Sequence, residues 1–281
     1  MKEILIIRKW NNTKVKSNTK ILISWLNKFY PDKNIYVEDK EYCNFKELNI
    51  NKYENNNIDL IISIGGDGTI LYCNKLFSTQ NRMPPIISFF LGTLGFITSH
   101  KFLDYPIILK KVFDQEFELI PRSRINCLLP NNNNYNALNE IVIHRGSSSH
   151  VLKLHITIDN FPVNKLIADG LIINTSTGST AYNLSAGGSL IHPSVEAIML
   201  NPICPFSLSF RPIVINYNSI VEIELLTDEA SVEADGNLIT KLNKNQSITI
   251  KKGSTNLYLL STKNSKIEWF QNIIKKLNWA S

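Results

Sequence analysis

Three glycines in four positions interrupt an apolar segment at IISIGGDGTIL, residues 61–71: Gly65, Gly66 and Gly68, with Asp67 among them and Thr69 behind. Glycines free to take positive φ let a backbone approach a ligand closely. The amides of such a turn, and of a helix start behind it, favour an anion. Open α/β sheets bind ligands just there, beyond the carboxyl ends of their strands. The spacing is neither a Walker motif nor G-x-G-x-x-G. Asp67 is the odd member, because a carboxylate among phosphate-binding amides repels the ligand that the turn attracts. It has a purpose if it takes a proton from a hydroxyl or holds Mg²⁺ beside a polyphosphate. A ribose or alcohol hydroxyl is a far weaker acid than Asp, so such an acceptor must be well placed and electrostatically activated. The other reading is a tight βα turn in which Asp67 caps the following helix. Spacing alone leaves both open.

A second constellation follows at ADGLIINTSTGSTAYNLSAGG, residues 168–188. A strand over Leu171–Asn174 runs into Thr175, Ser176, Thr177, Gly178, Ser179 and Thr180, then Ala181, Tyr182 and a helix-compatible stretch ending at Gly187–Gly188. Such hydroxyls offer neutral hydrogen-bond partners to a sugar or purine, and Tyr182 offers a face for stacking. An N-capped helix start with solvated hydroxyls explains the same residues. TGSTA lacks the second glycine of a nucleophile elbow, which excludes a serine hydrolase. The histidines (His100, His144, His150, His155, His192) show no H-x-x-x-H spacing. His150 and His155 alternate with apolar residues on an expected strand, which suits structural roles better than metal ligation. Asn139–Glu140, opening the strand EIVIH, places an amide beside a carboxylate, a pair able to hold a ribose diol and an adenine edge or simply to form a solvated turn.

The elements that must position these residues change character along the chain. EILII (3–7), IYV (35–37), IDLIISI (58–64) and PIISFF (85–90) read as strands. Between the first two, Ile21, Leu22, Trp25, Leu26 and Phe29 recur at helical spacing until Pro31. Strand–helix alternation of this kind predicts a parallel α/β sheet covered on both faces. From about residue 120, short β-rich runs replace the helices: ALNEIVIHR, VLKLHITID, ADGLIINTS, PIVINYNSIVEIEL, SVEADGNLI, SITIKK and NLYLLST. Their spacing predicts a β-sandwich. Ile267, Phe270, Ile273, Ile274 and Leu277 then fit one face of a helix, which should pack back on the first domain. The expected division is residues 1–119, 120–262 and 263–281. There are no internal repeats.

The 281 residues, 43% of them hydrophobic with a net charge of +6, exclude disorder as the dominant state. No apolar run approaches the ~20 residues of a spanning helix, so no membrane association is expected. Cys43, Cys73, Cys127 and Cys204 form no C-x-x-C pair, and MKEILIIRKW is too short in apolar residues for an export signal; reduced thiols in a cytoplasmic protein are expected. The pI near 9.0 invites a nucleic-acid reading. Yet Lys and Arg are scattered, and Asn clusters such as Asn55–Asn57 and Asn131–Asn134 mark a compositional bias instead. An anionic small-molecule substrate fits the mild basicity equally well, and no nucleic-acid partner is expected.

Taken together, Gly65-Gly66-Asp67-Gly68-Thr69, LGTLGFIT at 91–98, Asn139–Glu140, the block from Asp169 through Thr177-Gly-Ser-Thr-Ala-Tyr-Asn-Leu-Ser-Ala-Gly-Gly188, His192–Pro193, SFRPIVI at 209–215 and Asp235–Gly236 resemble the NAD kinase family, in order and over nearly the whole chain. The G-G-D-G turn alone looks equally like lipid kinases and phosphofructokinases; the T-G-S-T-A-Y-x-L-S-A-G-G block is far more specific. The resemblance implies a Rossmann-like α/β domain joined to a β-sandwich domain, with the active site in the cleft. It implies phosphorylation of the 2′-hydroxyl of the adenosine ribose of NAD, with Asp67 as base or orienter. Gly65, Gly66, Gly68 and Thr69 would hold the phosphates of ATP or polyphosphate, with Mg²⁺ carried by the donor and no direct protein ligand. Asp67, Gly68, Asn139, Glu140, His150, Asp169, Thr180, Ala181, Tyr182, Asn183, Leu184, Ser185 and Asn237 would line the dinucleotide site. A homodimer or homotetramer is implied as well.

Three positions depart from the family pattern. Phe90 stands where Asn is usual, Ile167 where related enzymes often carry Arg, and Asn237 where Gln is frequent. An apolar residue at 167 removes a phosphate contact and leaves the choice of donor open. Two alternatives are a lipid kinase of the diacylglycerol or sphingosine type, against which the hydroxyl-rich block argues, and a non-catalytic dinucleotide sensor, against which the retained Asp67 argues.

Overall fold

A computed structural model describes residues 1–38, 58–78, 82–263 and 265–279. Cys43 and the Asn55–Asn57 cluster lie outside them. The chain divides into two compact units, Met1–Pro121 with Leu257–Ser281, and Arg122–Asn256.

In the first unit, strand β1 (Glu3–Arg8) leads through helix α1 (Thr13–Phe29) to β2 (Asn34–Val37), β3 (Leu60–Ile64), α2 (Asp67–Leu76), β4 (Ile86–Phe90), β5 (His100–Lys101), α3 (Tyr105–Phe113) and β6 (Glu118–Arg122). The Asn12 side chain starts α1 by accepting the Val15 N–H at 3.0 Å. That helix buries Val15, Leu22, Ile23 and Leu26, whereas Ile21 and Phe29, expected on the same face, are exposed. All of β3 and β4 is buried, as in a parallel sheet with both faces covered. β2, β1, β3 and β4 pair in parallel, in that order.

The second unit holds β7 (Ile125–Leu128), β8 (Asn134–Ala137), β9 (Glu140–His144), β10 (Leu152–Ile158), β11 (Phe161–Ala168), β12 (Gly170–Thr175), the short α4 (Tyr182–Ser185), β13 (Ala197–Ile203), β14 (Ile213–Asn216), β15 (Val221–Leu225), β16 (Glu229–Ala234), β17 (Asn237–Asn243) and β18 (Ser247–Lys252). They form two six-stranded sheets, in the orders β11-β10-β15-β18-β7-β8 and β14-β13-β12-β9-β16-β17. Every pairing is antiparallel, as in Leu154↔Leu225 and Ile172↔Val142. Alternate residues of both sheets, among them Ile125, Leu154 and Ile250 from one and Ile143, Leu171 and Val232 from the other, fill a single core. This is the expected sandwich.

The chain then returns to the first unit. β19 (Leu257–Ser261) pairs with β4 in parallel and lies between β4 and β6. NLYLLST therefore belongs to the first sheet, not to the sandwich, and the return falls at residue 257 rather than 263. Helix α5 (Ser265–Leu277) packs on the same unit. It buries Asn272 and Ile273 but leaves Ile267, Phe270 and Ile274 exposed, so it docks by a narrower edge than its apolar spacing suggests. Among the described residues no helix is long and apolar enough to cross a membrane, and Cys73, Cys127 and Cys204 are free thiols.

Candidate active site

The turn after β3 is tight for a reason other than positive φ: none of Gly65, Gly66 and Gly68 adopts it. The Gly65 N–H donates to the Phe89 carbonyl on the neighbouring strand at 2.9 Å. A Cβ on Gly65 would overlap the Thr69 hydroxyl, which is buried beneath the turn. Gly66 and Gly68 face open space, where a Cβ would meet nothing within 4 Å. Absence of side chains there leaves the start of α2 approachable, which suits phosphate oxygens.

Asp67 is the first residue of α2, and no side chain caps that helix. Its carboxylate reaches instead to the LGTLGFIT segment. Oδ2 accepts the Phe96 N–H at 2.7 Å. Oδ1 accepts the N–H groups of Ile97 at 3.1 Å and Thr98 at 3.0 Å, and the Thr98 hydroxyl at 3.1 Å. The Thr98 hydroxyl in turn accepts the Gly95 N–H at 3.0 Å. Three successive amides thus make a nest for an anion, and Asp67 supplies it. The alternative reading of Asp67 as a helix cap does not hold, because its carboxylate makes no cap hydrogen bond to α2. It is a fixed negative charge whose orientation the 95–98 loop determines. Oδ1 is crowded with donors; Oδ2 has one and keeps capacity for a hydroxyl. The returning tail brings two cations to the same loop. Lys263 Nζ donates to the Ser99 carbonyl at 2.8 Å, and Lys276 Nζ lies 4.4 Å from the centre of the Phe96 ring. His100 is buried beside them with no hydrogen-bond partner on either ring nitrogen. Burial, and then the charge of Lys263, push its pKa down to about 4, so it stands neutral. Phe90 is buried at the end of β4.

In the second unit the structure brings the Asn139–Glu140 pair and the hydroxyl-rich turn together. The Thr175 hydroxyl donates to the Leu138 carbonyl at 2.6 Å, and the Thr175 N–H donates to the Asn139 carbonyl at 2.9 Å. A Cβ on Gly178 would overlap the Asn139 backbone, so only glycine fits. The Ser176 hydroxyl donates to the Val195 carbonyl, and the Ser179 hydroxyl to the Ile191 carbonyl at 3.0 Å. These hydroxyls are buried and consumed in building the turn, which is neither the ligand surface nor the solvated helix start that the sequence left open. Asn183 is corrected in the same way. It is fully buried, its Nδ2 donates to the carbonyls of Ser179 and Ser189, and Asn201 donates to its Oδ1 at 3.1 Å. It fixes the turn. What remains on the accessible side is Thr180, Ala181, Leu184, Ser185 and the half-exposed Tyr182.

Asn139 and Glu140 are themselves buried, yet Asn139 Oδ1 and Glu140 Oε2 have no hydrogen-bond partner. Buried polar atoms are nearly always satisfied, so two adjacent orphans mark a place for ligand donors. Burial, and then the charge of Asp235, raise the Glu140 pKa to about 8, against a hydrogen bond from the Tyr182 N–H that lowers it. At neutral pH Glu140 is therefore largely a carboxylic acid, able to donate as well as accept.

Asp169, His150 and Asn237 are the other expected site residues of the second unit. Asp169 pairs with Arg145, Nε to Oδ1 at 2.8 Å, and the Arg145 guanidinium also donates to the Ser148 carbonyl. His150 is not on a strand: the segment RGSSS turns ahead of β10 and leaves His150 exposed, its N–H donating to the Ser148 hydroxyl at 3.1 Å. His155 alone is on β10. Asn237 folds back, its Nδ2 donating to the Asp235 carbonyl at 3.0 Å. Ile167 is half-buried on β11. The sequence had assigned no role to the amides of 96–98 or to Asp235, although both sit in quoted motifs, and had nothing to mark Arg145. Among the described residues no group of three or more His, Cys, Asp or Glu is placed to hold a metal ion.

Comparison with known proteins agrees with this arrangement. The model of the ATP-NAD kinase N-terminal domain matches residues 5–117, and that of the C-terminal domain residues 138–262. The chain is 34% identical over 291 residues to the mitochondrial NADH kinase pos5 of Schizosaccharomyces pombe, covering 99% of this chain and 75% of that protein. It is 33% identical over 274 residues to the NAD kinase of a Thermoanaerobacter species, covering 94% and 95%. It spans only 24% of the length of the chloroplastic NAD kinase 2 of Arabidopsis thaliana. The crystal structure of yeast NADH kinase complexed with NADH superposes with a TM-score of 0.93 at 30% identity, covering all of this chain and 89% of that one. That of an NAD kinase from Archaeoglobus fulgidus with ATP superposes at 0.76 and 28%, covering 99% of each. Both units are matched, along with the sequence blocks that build the two constellations: the chain belongs to the ATP-NAD kinase family.

Proposed function

We infer that the chain is an NAD kinase, a phosphotransferase that takes NAD or NADH as acceptor and ATP as donor. The relatives and solved structures carry NAD(H) kinase names, one solved with NADH and another with ATP; none of those cited is a lipid kinase. The observation that carries the chemistry is the Asp67 carboxylate held by the amides of Phe96, Ile97 and Thr98.

In the proposed reaction the open start of α2 at Gly66 and Gly68 receives the donor phosphates, with Gly65 and Thr69 keeping the turn in shape. Asp67 Oδ2 accepts the hydrogen bond of the ribose 2′-hydroxyl and aims its oxygen at the terminal phosphorus. The role is that of orienter first, because catalysis of phosphoryl transfer rests chiefly on position and electrostatics. As the bond from the ribose oxygen to the terminal phosphorus forms, the bond from that phosphorus to the β–γ bridging oxygen breaks and ADP leaves, while Oδ2 takes the hydroxyl proton. Asn139 and Glu140 bind the dinucleotide through their two orphan oxygens; Asp169, Tyr182, Thr180, Ala181, Leu184 and Ser185 add contacts around them. His150, exposed in its loop, and Asn237 belong to this set only if they turn toward ligand. Mg²⁺ would be carried with the donor phosphates, as the family resemblance implies, where it would neutralise charge on the transferring group. The 2′ position, Mg²⁺, polyphosphate as an alternative donor and a homodimer or homotetramer rest on the family resemblance, and a cytoplasmic site of action rests on the isolated cysteines.

Purified protein incubated with NAD or NADH, Mg²⁺ and either ATP or polyphosphate, with NADP or NADPH read by a coupled dehydrogenase, tests this reading. Formation of the 2′-phosphorylated product with ATP is expected; no product with either donor would refute it.

A further inference from the structure

Asp235 and Gly236 form the turn between β16 and β17, both at positive φ (47° and 73°), as a type I′ hairpin requires. In that left-handed position the Asp235 side chain does not face solvent. Oδ2 accepts the Leu138 N–H at 2.9 Å, and Oδ1 accepts the N–H groups of Asn139 at 2.8 Å and Glu140 at 3.3 Å. The Asp235 N–H donates to the Glu140 carbonyl at 3.0 Å, closing the loop between the two segments. Burial lowers the pKa of the fully buried Arg124, against which Tyr217 and then the Asp235 carboxylate favour its charged form. Three consecutive N–H groups captured by one carboxylate leave the Asn139–Glu140 backbone no freedom to turn.

We propose that Asp235 is a positioning residue of the dinucleotide site, which by clamping residues 138–140 presents Asn139 Oδ1 and the Glu140 carboxyl to the bound nucleotide. It acts in two ways. Its hydrogen bonds set the backbone from which both side chains project. Its negative charge, added to burial, keeps Glu140 in the acid form, so that Glu140 donates a hydrogen bond where an ionised carboxylate would only accept. Among the described residues, the charged group bearing on Glu140 is Asp235. The strand partner of Glu140 on β12 is the uncharged Asn174, and α4 contributes only the Tyr182 N–H.

The inference rests on the NAD kinase reading, and the two fail separately: a wild-type protein without phosphoryl transfer refutes that reading, whereas dinucleotide affinity tests Asp235 directly. NAD binding by calorimetry, and KM and kcat where turnover is measurable, are compared between pH 6.5 and 9.5 for wild type, Asp235→Asn, Glu140→Gln and the double variant. In the wild type, affinity should fall as pH rises through about 8, where Glu140 loses its proton. Asp235→Asn should raise KM for NAD about tenfold at pH 7 with kcat changed less than about threefold, and move the break to lower pH. Glu140→Gln should abolish the break, and adding it to Asp235→Asn should recover part of the lost affinity. A flat wild-type profile overturns the proposal. So does a folded Asp235→Asn protein with an unmoved break, or one that loses melting temperature and kcat together without a KM effect. Should Asp235→Asn not fold, the wild-type profile and Glu140→Gln decide alone.

Discussion

Gly95 and Asp67 lie so close that a Cβ on Gly95 would overlap the Oδ1 of the Asp67 carboxylate and the Thr98 hydroxyl. The glycine of L-G-F is thus required by what the aspartate of G-G-D-G does, although 28 residues separate the two in sequence. One motif supplies the anion and the other the amides. The second unit repeats the device, with Asp235 as the anion and residues 138–140 as the amides.

Gly95→Ala should therefore damage stability and turnover together. Forcing a methyl into a packed contact costs about 1–3 kcal/mol. Thermal melting and kcat of the purified variant check this, and a variant that melts and turns over like wild type would show that the loop yields without consequence.

Gly66→Ala separates a phosphate cradle from a merely tight turn. Its Cβ meets no protein atom, so melting temperature should move little, while KM for ATP rises about tenfold because the methyl occupies the donor's space. An unchanged KM would remove Gly66 from donor binding.

Tyr182 and Asn183 are neighbours with opposite fates. Tyr182→Ala should leave melting unchanged and raise KM for NAD several-fold, as the loss of an exposed contact surface does. Asn183→Leu strands the carbonyls of Ser179 and Ser189 and should cost about 1–3 kcal/mol in denaturant unfolding. The reverse pattern would assign Asn183 to the ligand after all.

His100 makes a prediction about pH. Its folded pKa, about 4, lies below the value of about 6.5 for an unfolded histidine. The unfolded chain therefore binds the proton first, and the stability this neutral residue contributes is intact above about pH 6.5 and is lost as pH falls toward 4. His100→Phe should flatten that acid limb in urea titrations from pH 7 to 4. An unchanged slope would mean that His100 is not neutral and buried in solution.

Much of the framework was legible because parallel strands buried on both faces are continuous apolar runs. Residues 3–7 and 85–90 were placed within a residue of β1 and β4. NLYLLST went to the wrong sheet because its strand signal is the same in either; only the pairing of Leu259 with Ile86 decides. The hydroxyls of Thr175, Ser176 and Ser179 were legible as a cluster, but not the direction they face, which depends on carbonyls up to 37 residues distant. His150 falls two residues before β10 starts at Leu152, in the turn region that Gly146 and the serines 147–149 mark. Asp67 was recognisable as anomalous, yet its partners lie 29 to 31 residues away, beyond any local pattern.

The most direct measurement is the rate of NADP formation by Asp67→Asn at saturating NAD and MgATP, beside dinucleotide affinity and melting temperature. An amide nitrogen there faces the N–H groups of 96–98 with a donor, so the variant should melt at a lower temperature. Its kcat should fall at least about a hundredfold while NAD affinity stays within about threefold. Turnover like that of wild type would contradict the account, because the held carboxylate would then neither orient nor receive anything from the ribose.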